Sequence, residues 1–382
     1  MFKKFVLLAL ISSVFLPFGV KAQTDNAIFK AEVVEVVKEV RKVDDKGQKT
    51  TQQILTLRGL ENEWKNKEIT FDSVALNIEI VGQKAYKVGD KVLVTPNLDE
   101  TGKETFFITD YVRTGKLYFI IFFFFLVILA VARKQGLKAI IGLLATFIVL
   151  MKFIIPRILA GSDPIFISIV GSLVILTITI YLVHGLNAKS STAVLGTLFS
   201  LIVTGILAII FTNLTRLTGF AQEESVFLIN LGERTLNIKG LLLAGMIIGA
   251  LGVLDDIAVS QASIAEQIQK ANPELPTGEI YKRAMRVGVD HVSSIVNTLV
   301  LAYAGASLPI MILFVVNNGD GLTFSQAINN EAIATEIVRT VAGSVGLILA
   351  VPITTFIAIK FFKRKGLPPT AEPKIHGNEH LA

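Results

Sequence analysis

Residues 241–263 read LLLAGMIIGALGVLDDIAVSQAS. Up to Leu254 the run carries no charge, and then two adjacent acids, Asp255 and Asp256, interrupt it. Crossing a bilayer takes roughly 17–25 mostly apolar residues, so a spanning helix here must include the acids. An acid at the centre of such a helix costs about 2.5–3.5 kcal/mol, and each Leu or Ile returns about 0.3–0.6 kcal/mol. A cost of that size marks an intramembrane acid as a functional candidate. The alternative is a helix that ends early and leaves both acids solvated at the cytoplasmic interface. Ile257–Val259 continue the apolar pattern and Gln261 onward turns polar, so the acids lie nearer that end than the middle.

Other runs of similar length surround this one. They cover about Leu117–Ala132, Ala139–Ile155, Pro164–Val183, Thr192–Thr212, Ser294–Val316 and Val341–Phe362. With the acid-bearing run they predict an all-α polytopic membrane domain over 116–365, with about seven transmembrane helices embedded in the lipid bilayer. Arg133, Lys134, Lys138, Lys189, Lys282, Arg283, Arg286, Lys360 and 363–365 all fall on one side if the N-terminal part is outside, which is the orientation set by basic residues. The tail 366–382 then ends in the cytoplasm.

Residues 1–22 carry Lys3 and Lys4, an apolar core and a Val20-Lys21-Ala22 site, the pattern of a signal peptide; an uncleaved anchor is the alternative. Residues 23–115 alternate as short strands: KAEVVEVVKEV, a turn at Asp44–Gly47, QQILTLRGL, KEITFDSVALNI, KVGDKVLV with a tight turn at Gly89-Asp90, and ETFFITDYV. They predict a small extracytoplasmic β-barrel or β-sandwich, suited to docking an envelope protein partner.

The net charge of +6 does not imply nucleic acid, because the bases flank apolar runs and form no stripe. The chain has no cysteine, which excludes disulfides and thiol chemistry. Of its four histidines, His376 and His380 lie in the polar tail, and His184 and His291 fall at helix ends without metal-site spacing. No catalytic residue, metal site or cofactor is expected, and the chain does not read as an enzyme.

Steps of three and four along the acid-bearing helix link Gly245, Gly249, Gly252, Asp256, Ser260, Ser263 and Gln267. This small and polar face, with G-x-x-x-G spacing, is suited to close approach of another helix. Asp256 is therefore expected in a packed interface, with Asp255 about 100° away beside aliphatic residues. Neighbouring carboxyls titrate as a pair, and a group that can hold or release a proton near working pH suits a proton-coupled machine. The following helix offers Asp290, Ser294, Asn297, Leu301 and Gly305 at the same spacing, and Pro309 predicts a kink there. The last run places Arg339, Gly343, Gly346 and Ala350 on one face and is expected to end near Pro352. Asp255, Asp256, Asp290 and Asn297 are the candidate ion- or proton-binding residues.

GALGVLDDIAVSQASIAEQI, followed by EIYKRAMRVGVDHVSSIVNTLVLAYAGASLP, resembles the YibE/F family of bacterial membrane proteins. The resemblance covers most of 117–362 and implies a multi-spanning membrane protein without fixing an activity. Gly249 to Ile264 also resembles, more locally, the acidic helix of resistance-nodulation-division permeases, with Asp255-Asp256 at the paired acids. That resemblance implies half of a permease core, completed by a homodimer. The chain departs from it by having no intramembrane lysine opposite the acids. Two functions remain open at this point. One is a proton- or cation-coupled, permease-like transporter; the other is a non-transporting envelope scaffold that binds a partner through its β-domain.

Overall fold

The computed structural model describes residues 28–43, 49–76, 78, 80–81, 85–98, 102, 104–221, 225, 236–315 and 323–365. The expected signal peptide, the turn at Asp44–Gly47 and the tail 366–382 with His376 and His380 lie outside the described residues. The chain forms two compact units that divide between Val131 and Ala132.

In the first unit β1 (Phe29–Val43), β2 (Lys49–Gly59), β3 (Glu68–Asp72), β4 (Ile80–Val81), β5 (Lys91–Leu98) and β6 (Glu104–Tyr111) form one antiparallel sheet. Its order is β3-β2-β1-β5-β6, with β4 paired on β2. Alternation puts Phe29, Ala31, Val33, Leu55, Leu57, Ile69, Phe71, Val92 and Val94 on the buried face. Trp64, on a short 3-10 turn, stacks on Phe29 at 5.4 Å between centroids and meets Phe106 edge-on at 5.0 Å. A Cβ at Gly59 would overlap the Trp64 carbonyl, so only glycine lets this turn close. Gly89, at φ +89°, makes the tight turn expected before β5. The expected closed barrel or sandwich is corrected to a single open sheet. No hydrogen-bonded pairing among the described residues joins β3 to β6, and β6 enters the core through ring contacts.

The helical region contains α1 (Thr114–Val149), α2 (Ile155–Leu159), α3 (Pro164–His184), α4 (Ala188–Leu214), α5 (Ile238–Ala271), α6 (Thr277–Ala306), α7 (Leu308–Val315), α8 (Phe324–Asn329) and α9 (Glu331–Lys365). Among the described residues six helical stretches are long and apolar enough to cross a membrane, and one of them, Thr114–Leu159, has 46 residues and takes in two of the seven expected runs. The runs expected at 117–132 and 139–155 fall on either side of a kink at Arg133, whose φ of 48° and ψ of −123° are non-helical. The kink expected at Pro309 appears as the break between α6 and α7 at Ser307. The last helix runs through Pro352 to Lys365 instead of ending there.

In the second unit α4 and α9 cross antiparallel at their small residues. A Cβ at Gly196 would overlap the Thr354 side chain, and one at Gly346 would overlap Thr204. The buried hydroxyls of Thr197, Ser200 and Thr204 donate to backbone carbonyls one turn back, which satisfies them without a partner helix. α5 fills the space beside this pair with Ile247, Ala250, Leu254, Ile257 and Ala258.

Candidate functional site

α5 begins at Asn237, whose side chain accepts from the Gly240 amide at 2.8 Å. The helix has 34 residues, or about 51 Å at 1.5 Å per residue. The Asp pair lies at its midpoint, so the helix continues well past the acids instead of ending at them.

The pair is divided by environment. Asp255 is half-buried, and its Oδ1 is enclosed with no hydrogen-bond partner. Asp256 is exposed, as are Gly245, Gly249 and Gly252. A Cβ at Gly245 or Gly252 would meet nothing within 4 Å, and one at Gly249 would meet only the Tyr303 hydroxyl at 3.4 Å. Ser260 and Ser263, on the same face, are half-buried. Within its own chain the small-residue face of α5 is thus not the packed one. The packed face is Leu243, Ile247, Ala250, Leu254, Ala258 and Gln261. Small residues permit close approach without compelling it, whereas the aliphatic face gains more contact against α4 and α9.

α6 lies beside α5 and is held at two levels. At one, Gln261 Nε2 donates to the Ala284 carbonyl at 2.8 Å and to Thr355 Oγ1 of α9 at 2.7 Å. At the other, Tyr303 reaches Gly249. Between these contacts α5 carries the two acids, and α6 carries Asp290, Ser294 and Asn297, all three exposed. The structure thus brings the four candidate residues to neighbouring stretches of two helices. Among the described residues no hydrogen bond joins them. The apolar part of α6 has a mean hydropathy of 1.2, the lowest of the six, because it carries these polar residues.

These stretches offer carboxyl, amide and hydroxyl oxygens, with Asp255 Oδ1 enclosed and Asp256, Asp290, Ser294 and Asn297 exposed. Among the described residues no group of three or more His, Asp or Glu is placed to hold a metal ion. A second polar centre was missed from sequence. Arg339 Nη1 donates to Glu336 Oε1 at 2.8 Å on α9, with both side chains about one-fifth exposed. The i, i+3 spacing of opposite charges inside an apolar run was the signal for it.

A small antiparallel sheet unit followed by long apolar helices, one with a mid-helix acid pair, defines a polytopic membrane-embedded protein. The family model for YibE/F-like proteins matches residues 120–364, and the chain belongs to that family. No curated protein and no solved structure matches the chain.

Proposed function

We propose that this protein is a proton- or cation-coupled, permease-like transporter that works without covalent chemistry, with Asp255 as its central ion-binding group. The observation that carries this reading is the enclosed, unpartnered Asp255 Oδ1 at the middle of a spanning helix, next to a second acid. A carboxyl kept there without a pairing base is a group waiting for a cation or proton. The local likeness of α5 to the acidic helix of resistance-nodulation-division permeases supports the same reading.

The working form in this proposal is a homodimer. Asp256, Asp290 and Asn297 are open on the outer side of α5 and α6, where lipid would charge about 2.5–3.5 kcal/mol for an acid. A second copy brings the same glycines and the same polar groups, as a two-fold interface requires. The basic residues flanking the helices support an inner-membrane location with the β-sheet unit outside and the C-terminus in the cytoplasm. The β-sheet unit would then meet an envelope partner.

The test is ion flux in proteoliposomes under an imposed pH gradient and potential, comparing wild type with Asp255→Asn/Asp256→Asn. Flux that depends on the acids supports transport. Flux that is equal in both proteins removes the acids from the path. No flux in either, with protons, sodium and potassium all offered, turns the reading towards a scaffold.

A further inference from the structure

We propose that a cavity beside the start of α9, reached on α5 at Gly245, is a binding site for a small oxyanion: a single carboxylate or phosphate group held by Arg339 and Thr335. The cavity has a volume of about 100 Å³ and is lined by Gly219, Ala221, Ser225, Gly245, Thr335 and Arg339, with Leu241 and Leu242 as its apolar wall. Thr335 and Arg339 are one turn apart and share a face of α9.

Two residues that line this cavity each hold an enclosed donor without an acceptor. Thr335 is 2% exposed, and its hydroxyl has no hydrogen-bond partner. Thr192, Thr197, Thr204 and Thr355 instead donate to the carbonyl one turn back, while the buried hydroxyls of Thr212 and Thr354 share the unpartnered state of Thr335 but do not line this cavity. Arg339 Nε is likewise enclosed and unpartnered, while Nη1 is held by Glu336. Glu336 therefore orients the guanidinium and leaves its Nε edge unused, the edge that receives a carboxylate or phosphate side-on.

Nearby acids do not fill the role. Glu331 accepts from the Thr218 amide, the Thr218 hydroxyl and the Gly219 amide, and so staples the α4–α5 connection to the start of α9. That staple makes one wall of the cavity. Enclosed donors without acceptors are costly and rare, so the cavity is matched to a ligand that brings acceptor oxygens. Its volume is well below the roughly 300–1,000 Å³ of drug-sized sites, which limits the ligand to one oxyanion group. That group could belong to a free small anion or to the headgroup of a phospholipid.

The experiment uses the full chain in detergent and follows helix unfolding by circular dichroism. Sodium acetate and sodium phosphate are compared with sodium chloride at equal ionic strength, and phospholipid retained through purification is measured by native mass spectrometry. The variants are Thr335→Val, which keeps shape and the Glu336–Arg339 pair, and Arg339→Gln. The expected result is a rise of several degrees in the wild-type Tm with acetate or phosphate that Thr335→Val lacks, which assigns the site to a free anion. Retained phospholipid that Thr335→Val loses, with no response to the free ions, assigns it to a lipid headgroup. Equal behaviour of wild type and Thr335→Val in every arm overturns the proposal and leaves the donors to water. None of these readouts depends on ion flux, so this site and the Asp pair fail or stand separately.

Discussion

Asp255 and Asp256 are adjacent in sequence, yet Asp255 holds an oxygen enclosed in the helix bundle while Asp256 opens to its outside. The two positions of one helix turn therefore stand in different environments. Asp255→Asn is expected to lower ion flux on the order of tenfold or more, because it removes the charge at the enclosed site. Asp256→Asn is expected to have a smaller effect on flux. A larger loss in Asp256→Asn would reverse the assignment. This is measured in proteoliposomes under one imposed gradient.

The homodimer is tested at the glycine face. The chain has no cysteine, so single cysteines report cleanly. Gly252→Cys, on the open face of α5, should cross-link between copies in membranes. Ile206→Cys, exposed on α4, should not. Equal cross-linking at both positions, or none at Gly252, would sink this interface.

Close helix approach belongs to α4 and α9. Gly346→Ala adds a Cβ that overlaps Thr204, and overpacking of this kind costs about 1–3 kcal/mol. Gly252→Ala meets nothing within 4 Å and should leave the stability of the monomer unchanged. The yield and thermal stability of the two variants, measured side by side, decide this.

Gln261 is 1% exposed and joins three helices through one amide group. Gln261→Leu leaves the Ala284 carbonyl and the Thr355 hydroxyl without that partner, and should destabilise the helical unit by about 1–3 kcal/mol. Circular dichroism melts read the loss. A variant as stable as wild type would mean that α6 is held by apolar contact alone.

The β-sheet unit has its own pH test. Tyr86 is buried against Tyr111 at 4.9 Å between ring centroids, and burial first, then the phenol of Tyr111, pushes its pKa from 10.0 up to about 12. The unfolded chain ionises this phenol near pH 10 while the folded unit still holds the proton. The stabilisation is therefore full below pH 10 and is lost as the pH rises through about 12. The sole tryptophan, Trp64, lies in the same core and reports this unit within the intact protein. Its fluorescence melts should fall in Tm over that window for wild type, and fall less for Tyr86→Phe.

Much of the fold was legible before any coordinates. Alternation in KAEVVEVVKEV and ETFFITDYV located β1 and β6, and the apolar runs located α3, α4, α5, α6 and α9, because burial periodicity is written locally. The break at Pro309 was legible because a proline lacks the amide that a helix needs. The two-residue strand β4 was missed, since so short a segment has no periodicity of its own.

Residue order alone makes this chain a membrane-embedded helical protein with a strand-rich unit before it, and puts two acids after the apolar run of α5. Which face of α5 meets its neighbours follows from packing. A 3.6-residue period divides a helix into faces, but it does not say what stands opposite each one. Leu243, Ile247, Leu254 and Gln261 found complementary surfaces on α4, α6 and α9, and so the glycines and Asp256 were left outside with Asp255 turned partly in. Likewise, nothing local to Thr335 predicts that it lines a cavity beside Arg339; that follows from how Thr218 and Gly219 are held against the start of α9.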